Sequence, residues 1–231
     1  MKKAFTMIEL VFVIVVIGVL SAVILPNTKT NPVQEAAIQL VSHIRYTQHL
    51  AMVDDKFDAT DGNWYKKRWQ IVFVQHAEAS SVPAYTIFSD TSNGSTGDAN
   101  ELEIALNPVN VTQRMTGGHS GSVKLDIRDS RFVGMRKLNL GLSYGITSIT
   151  MSNSCSVSGS RRIAFDHVGR PIRGSLGAAG GGGNAQSYEN NNLIQADCII
   201  TLTDGIESTL IRVTRETGYT CVLNATATAC I

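Results

Sequence analysis

Apolar residues are concentrated at the start of the chain. Residues 5–25 carry a single charge, at Glu9, and the chain after Pro26 is much richer in Ser, Thr, Asn and Gly. A helix over residues 5–25 would be about 32 Å long at ~1.5 Å per residue, which matches the hydrocarbon core of a bilayer. We therefore predict a transmembrane helix there, with Lys2 and Lys3 holding its start on the cytoplasmic side.

A second helical pattern begins shortly after Pro26. Apolar residues recur three and four positions apart, on one face of a helix, at Val33, Ala36, Ala37, Leu40, Val41 and Ile44. This spacing predicts an amphipathic helix over residues 33–53, packed on a globular domain. Together with residues 5–25 it makes a long N-terminal helix over residues 5–55, kinked or interrupted at Pro26 and Pro32.

The pattern changes after Lys56, where short alternating stretches replace the helical spacing. They predict strands over residues 69–74, 84–89, 101–106, 122–128, 145–151, 161–166, 198–203, 209–214 and 219–223. The predicted fold class is α+β. A long N-terminal helix, whose first half spans a membrane, precedes a mainly antiparallel β globular domain over residues 56–231.

Composition and charge narrow the class of protein. Hydrophobic residues make up 43% of the chain and charged residues 17%, which excludes a wholly disordered chain. The formal net charge is +1, so no strong overall field draws the protein to nucleic acid.

The cysteines are Cys155, Cys198, Cys221 and Cys230, and none belongs to a Cys-x-x-Cys pair. An even number in an exported chain favours two disulfides over a zinc site. Four cysteines allow three connectivities. We favour Cys155–Cys198 with Cys221–Cys230, the second of which closes a short loop.

Three kinds of N-terminal segment offer explanations of the lysines and the apolar run that follows them. A cleaved secretory signal needs small residues before the cut, and Leu20 is badly placed in Leu20-Ser21-Ala22. A plain signal anchor does not explain an acid inside the run, where a mid-membrane carboxylate costs ~2.5–3.5 kcal/mol. The third kind, a very short leader that is cut off just before the apolar run, accounts for Glu9.

The stretch Lys2-Lys3-Ala4-Phe5-Thr6-Met7-Ile8-Glu9-Leu10 resembles the leader junction of type IV prepilins and type II secretion pseudopilins. The resemblance implies a leader peptide over residues 1–4, cleavage by prepilin peptidase between Ala4 and Phe5, and N-methylation of Phe5. Ala4 departs from the glycine that the family carries there. The resemblance also makes Glu9 the assembly residue, whose carboxylate pairs with the terminal amine of an adjacent subunit and sets the axial register.

A second resemblance lies in the later part of the chain. Residues 163–171, 198–202 and 211–218 resemble the C-terminal half of minor pseudopilins of the GspH/FimT type. The implied partners are other pilin or pseudopilin subunits, prepilin peptidase, an inner-membrane assembly platform and membrane lipid. The implied location is the bacterial inner membrane, single-pass, with the globular domain periplasmic, and later a pilus or pseudopilus.

Enzymatic chemistry finds little support in the sequence. Gly141-Leu142-Ser143-Tyr144-Gly145 matches G-x-S-x-G, and Asp166 with His167 would complete a triad on paper. That motif needs a helix after the serine, whereas residues 145–151 are typical of a strand. The five histidines form no i, i+4 pair, which argues against a metal site. We therefore predict no catalytic residue, no metal and no cofactor.

Arginines form the one notable basic cluster. Arg161, Arg162, Arg170 and Arg173 lie close together in sequence, with Arg212 and Arg215 on a later hairpin. These side chains could contact DNA phosphates, but ordinary surface charge with nearby carboxylates is the favoured interpretation.

The function predicted from the sequence is a non-enzymatic minor pilin or pseudopilin of a type II secretion pseudopilus or type IV pilus. Two alternatives stay open. One is a DNA-uptake minor pilin that binds DNA through the arginine cluster, and the other, less favoured, is a membrane-anchored enzyme.

Overall fold

The structure is a computed structural model, and it describes residues 6–24, 31–92, 97–157, 159–176, 192–224 and 226–231. Its internal contacts divide the chain into two units, Met1–Asn31 and Pro32–Ile231. Among the described residues, the first unit contains one helix, and the second contains a long helix packed on two antiparallel sheets.

The apolar run of the first unit forms helix α1, Met7–Ile24. The predicted membrane-spanning helix over residues 5–25, and with it the long N-terminal helix, is wrong. Among the described residues, no helix combines the length and the apolar character needed to cross a membrane. The 18 residues of α1 rise only about 27 Å, less than the ~30 Å of a hydrocarbon core, and Glu9 lies in the first turn.

The predicted location as a single-pass protein of the bacterial inner membrane depended on that span and is wrong for the same reason. The second helical pattern does form a separate helix, α2, Pro32–Val53. Its buried residues are those of the predicted apolar face, with Thr47 and Ala51 added: Val33, Ala36, Ala37, Leu40, Val41, Ile44, Thr47 and Ala51.

Two four-stranded antiparallel sheets form the rest of the second unit. The strands are β1 Trp69–Val74, β2 Ala84–Ser89, β3 Ser148–Met151, β4 Arg162–Phe165, β5 Pro171–Arg173, β6 Cys198–Thr203, β7 Ser208–Val213 and β8 Thr220–Val222. The first sheet has the order β2-β1-β4-β5 and the second β3-β6-β7-β8. A short helix, α3, spans Leu140–Tyr144. The predicted antiparallel β domain is consistent with this arrangement.

Two of the predicted strands are wrong. Residues 101–106 begin with a 3-10 turn, Glu101–Glu103, and residues 122–128 contain another, Val123–Leu125. In the first, the Glu103 carboxylate accepts the backbone N–H groups of Thr91, Ser92 and Asn100. Side chains that bond to nearby backbone in this way favour turns over a strand ladder.

Helix α2 packs against strands of both sheets, so one helix covers two apolar faces. Gln48 joins it to a turn of each sheet. Its Nε2 donates to Gly169 O in the β4–β5 turn at 2.8 Å and to Thr217 O in the β7–β8 turn at 2.7 Å. Gly218 has a φ of 65°, and a Cβ there would lie 2.5 Å from Gly169 O, so both turns need glycine for this approach.

A directed chain of hydrogen bonds fixes the middle of α2. Tyr144 O–H donates to Gln39 Oε1 at 2.8 Å, and Gln39 Nε2 donates to Tyr85 Oη and to Lys137 O, each at 2.9 Å. Tyr85 Oη lies 2.6 Å from His43 Nδ1. Burial raises the pKa of Tyr85, so its hydroxyl stays protonated and donates to a neutral His43 ring.

Both predicted disulfides are present. Cys155 is bonded to Cys198 and Cys221 to Cys230, and no cysteine is free among the described residues. The first bond links β6 to the turn after β3, and both of its cysteines are fully buried. The second lies at the outer side of β8.

Replacing Gln48 tests the link between the two sheets. Gln48→Ala removes the donor of two hydrogen bonds, so we expect a loss of about 1–3 kcal/mol in the free energy of unfolding. His49→Ala, on the exposed neighbour, is the matched control and should change it by less than about 0.5 kcal/mol. Equal losses in the two variants, measured by denaturant titration, would contradict the role given to Gln48.

The pH dependence of stability tests the His43 chain. Burial lowers the pKa of His43 from 6.5 to about 4, so the unfolded chain binds the proton more readily. This contribution to stability is complete above pH 6.5 and is lost as the pH falls towards 4. We expect His43 to account for a loss of about 1–2 kcal/mol between pH 7 and pH 5.

Denaturant titrations at both pH values should show that His43→Gln loses much less free energy of unfolding between pH 7 and pH 5 than the parent protein. Burial also lowers the pKa of His119, which makes His119→Gln the control that keeps the His43 contribution. A His43→Gln protein with the full pH dependence of the parent would exclude this explanation.

Candidate assembly site

Helix α1 has no polar face. Every described side chain from Thr6 to Leu20 is exposed, including Met7 at 86%, Ile8 at 80% and Phe12 at 70%. Soluble helices normally place such residues on one buried stripe, and a helix that is apolar all round is normally buried. The surface of α1 is therefore suited to being covered by other apolar side chains.

Glu9 is the one charged residue of α1, and Thr6 is its neighbour across the first turn. The backbone N–H of Glu9 lies 3.2 Å from Thr6 O and 3.4 Å from Thr6 Oγ1, and Glu9 Oε2 lies 3.5 Å from the same hydroxyl. Thr6 thus takes the N-cap position, where its hydroxyl accepts the backbone N–H of Glu9, and Glu9 takes the third helical position, which is the residue spacing of a capping box. A carboxylate there also meets the positive end of the helix dipole.

The sequence carries a signal for this cap that the prediction for Glu9 did not use. Thr6-x-x-Glu9 before an apolar run has the spacing of a capping box. Glu9 therefore has a local structural role beside any role in assembly, and an experiment has to separate the two. The cleavage residues Ala4 and Phe5 lie outside the described residues, so cleavage and N-methylation stay predictions.

The arginine cluster is largely engaged within the protein. Arg162 Nη1 donates to Gln70 Oε1 at 3.2 Å and to Gly97 O, and its guanidinium lies 5.7 Å from the Phe88 ring centre. Arg173 Nη1 lies 3.4 Å from Ser154 O.

Arg170 is tied to the turn in which it lies. Its Nε donates to Asp166 Oδ2 at 2.8 Å, and the Asp166 side chain is fully buried. Asp166 Oδ1 also accepts the backbone N–H groups of Val168 and Arg170. The carboxylate therefore shapes the β4–β5 turn that meets Gln48. The prediction that the cluster contacts DNA is not favoured by these internal contacts, and it stays a prediction for Arg161, Arg162, Arg170 and Arg173.

The serine of the G-x-S-x-G match lies inside α3 and not on a strand-to-helix turn. Ser143 Oγ donates to Arg136 O at 2.9 Å. Within the described ranges, no three His, Cys, Asp or Glu side chains are placed to hold a metal ion.

Comparisons with known proteins found no matching family model, no matching curated protein and no matching solved structure.

Substitutions in the arginine cluster should change stability unequally. Arg162→Gln removes hydrogen bonds made by a charged donor and the ring contact, so we expect a loss of about 1.5–3 kcal/mol in the free energy of unfolding. Arg161→Gln, one position earlier, is the matched control and should change it little. The opposite pattern, with unchanged stability and weaker salt-sensitive DNA binding in Arg162→Gln, would contradict the internal role of Arg162.

Proposed function

We propose that this chain is a non-enzymatic, pilin-like subunit that joins an assembly of like subunits through α1, as in a type IV pilus or a type II secretion pseudopilus. The observation that carries the proposal is the uncovered apolar surface of α1 with its single carboxylate, Glu9. The resemblance of residues 2–10 to prepilin junctions points the same way.

The exposed apolar side chains supply the driving force for assembly. Burying one Val, Leu, Ile or Phe side chain contributes about 1.5–3 kcal/mol relative to leaving it exposed. Several such side chains on α1 would therefore outweigh the translational and rotational freedom lost when two copies associate, which costs about 4–15 kcal/mol. The apolar side chains are spread evenly around α1, so covering them requires neighbours on all sides. A bundle of α1 helices from several copies supplies these neighbours.

Glu9 supplies the specificity. Once α1 is surrounded by apolar side chains, the carboxylate loses water and needs a cation close by. The family resemblance supplies one, the terminal amine of an adjacent copy cleaved before Phe5. In surroundings of low dielectric constant such a pair is much stronger than in water, and it fixes how far one helix is shifted along the next. The contact with Thr6 does not neutralise the charge, because a hydroxyl carries none.

Three substitutions separate the charge of Glu9 from its capping role. Glu9→Gln keeps a side chain that suits a capping box but removes the charge. Glu9→Leu removes both, and Thr6→Val removes the capping hydroxyl but keeps the carboxylate. We expect both Glu9 variants to lose incorporation at least about tenfold, the effect of about 1.4 kcal/mol, whereas Thr6→Val still assembles.

The measurement is cross-linking of two differently tagged copies expressed in the same cells. Equal expression of all three variants, checked by blotting, is the control. Normal incorporation of Glu9→Leu would refute the assembly role of Glu9. Loss in Thr6→Val and Glu9→Leu with normal Glu9→Gln would assign Glu9 to capping alone.

A further inference from the structure

The outer edge of β8 is covered by a segment of the same chain. β8 ends the strand order β3-β6-β7-β8, so no described strand lies beyond it. On that side Val222 O accepts the N–H of Ile231 at 3.0 Å, and Leu223 forms an antiparallel bridge with Cys230. Cys230 and Ile231, called here the closing segment, thus occupy the place of an additional edge strand.

Side chains of β7 and β8 complete the binding site of the closing segment, which is called here the seat. Cys221 in β8 is bonded to Cys230, with the two Cα atoms 5.6 Å apart. Arg212, which pairs with Cys221 across β7 and β8, places its Nη2 3.1 Å from Cys230 Sγ. A disulfide, a backbone hydrogen bond and an antiparallel bridge thus hold the closing segment on β8.

The connection that brings the closing segment back to β8 is short and strained. Asn224 Oδ1 accepts the backbone N–H groups of Thr228 and Ala229 at 2.9 and 3.2 Å. Ala227 has a φ of 58°, in the left-handed region that a residue with a Cβ seldom adopts. Residues 226–229 are exposed, so little apolar burial holds the turn closed. Short strained connections favour exchange of the segment that they carry between two copies.

We infer that the closing segment exchanges between two copies of the chain, each placing its Cys230 and Ile231 on β8 of the other. The occupant is identical to the segment already seated there, so every contact of the seat is reproduced. Opening the turn also releases Ala227 from its unfavourable conformation. The inference concerns the second unit alone and does not depend on the proposed assembly.

The exchange proceeds by thiol–disulfide exchange without net oxidation or reduction. A small monothiolate attacks Cys230 Sγ, which is the more exposed sulfur of the pair, and Cys221 leaves as a thiolate. The Cys221 thiolate of a second copy then attacks the mixed disulfide at Cys230 and releases the monothiol. A second such round joins the other pair, giving two intermolecular Cys221–Cys230 bonds and regenerating the catalyst.

The test uses the unaltered chain in two isotopic forms. Light and ¹⁵N-labelled protein are mixed with catalytic glutathione, quenched with acid and digested without reduction. We expect covalent dimers, and Cys221–Cys230 peptides with one light and one heavy half in amounts well above those of the control pair. The Cys155–Cys198 peptides are the internal control, because both sulfurs are fully buried and should stay unmixed.

Two outcomes would overturn the inference. One is a Cys221–Cys230 peptide that stays as unmixed as the buried control pair. The other is mixing in which Cys221–Cys221 and Cys230–Cys230 links are as common as Cys221–Cys230, which would mean random oxidation and not a specific seat. Ala227→Gly relaxes the turn and should lower the dimer fraction at least about fivefold. An unchanged fraction in this variant would refute the role of strain.

Discussion

The packing of α2 against two sheets is the constraint on which the second unit depends. Each sheet has an apolar face, and α2 contacts strands of both. Small residues such as Ala36 and Ala37 are fully buried there, which suits a helix that lies close to strand backbones. Gln48 then bonds to a turn of each sheet, and the chain can approach at those turns because Gly169 and Gly218 have no Cβ.

The two units of the chain differ in how far their apolar side chains are buried. The second unit buries most of its core residues in one large cluster that includes α2 and strands of both sheets, with a second, smaller cluster around Ala164, Ile172 and Leu176. In α1 the described apolar side chains are exposed along the helix. Helices of this length are marginal in water without tertiary packing, and we propose that other copies of the chain supply that packing to α1. This difference supports the proposal that α1 is the assembly element of the chain.

The sequence predicted elements whose apolar residues have a regular period. The stripe of α2 and strand β6 were found this way, because burial on one face imposes the spacing. Strands β1 and β2 are buried on both faces, and short apolar stretches predicted them. The predictions failed at Glu103 and Asp126, where side chains bond to backbone N–H groups two or three residues away and make turns in place of strands. Gln48 carried no local signal, since its partners lie 121 and 169 residues away. At α1 the length of the uncharged apolar run suggested a bilayer span, although the helix is too short for one.

Amide hydrogen exchange of α1 tests most directly whether this helix depends on neighbouring copies. The isolated chain and the assembled material are compared by mass spectrometry, with the buried strands of the second unit as an internal reference. We predict that amides of α1 exchange much faster than those of β1 in the isolated chain and become strongly protected only in the assembly. Equal protection of α1 in the isolated chain and in the assembly would contradict the account.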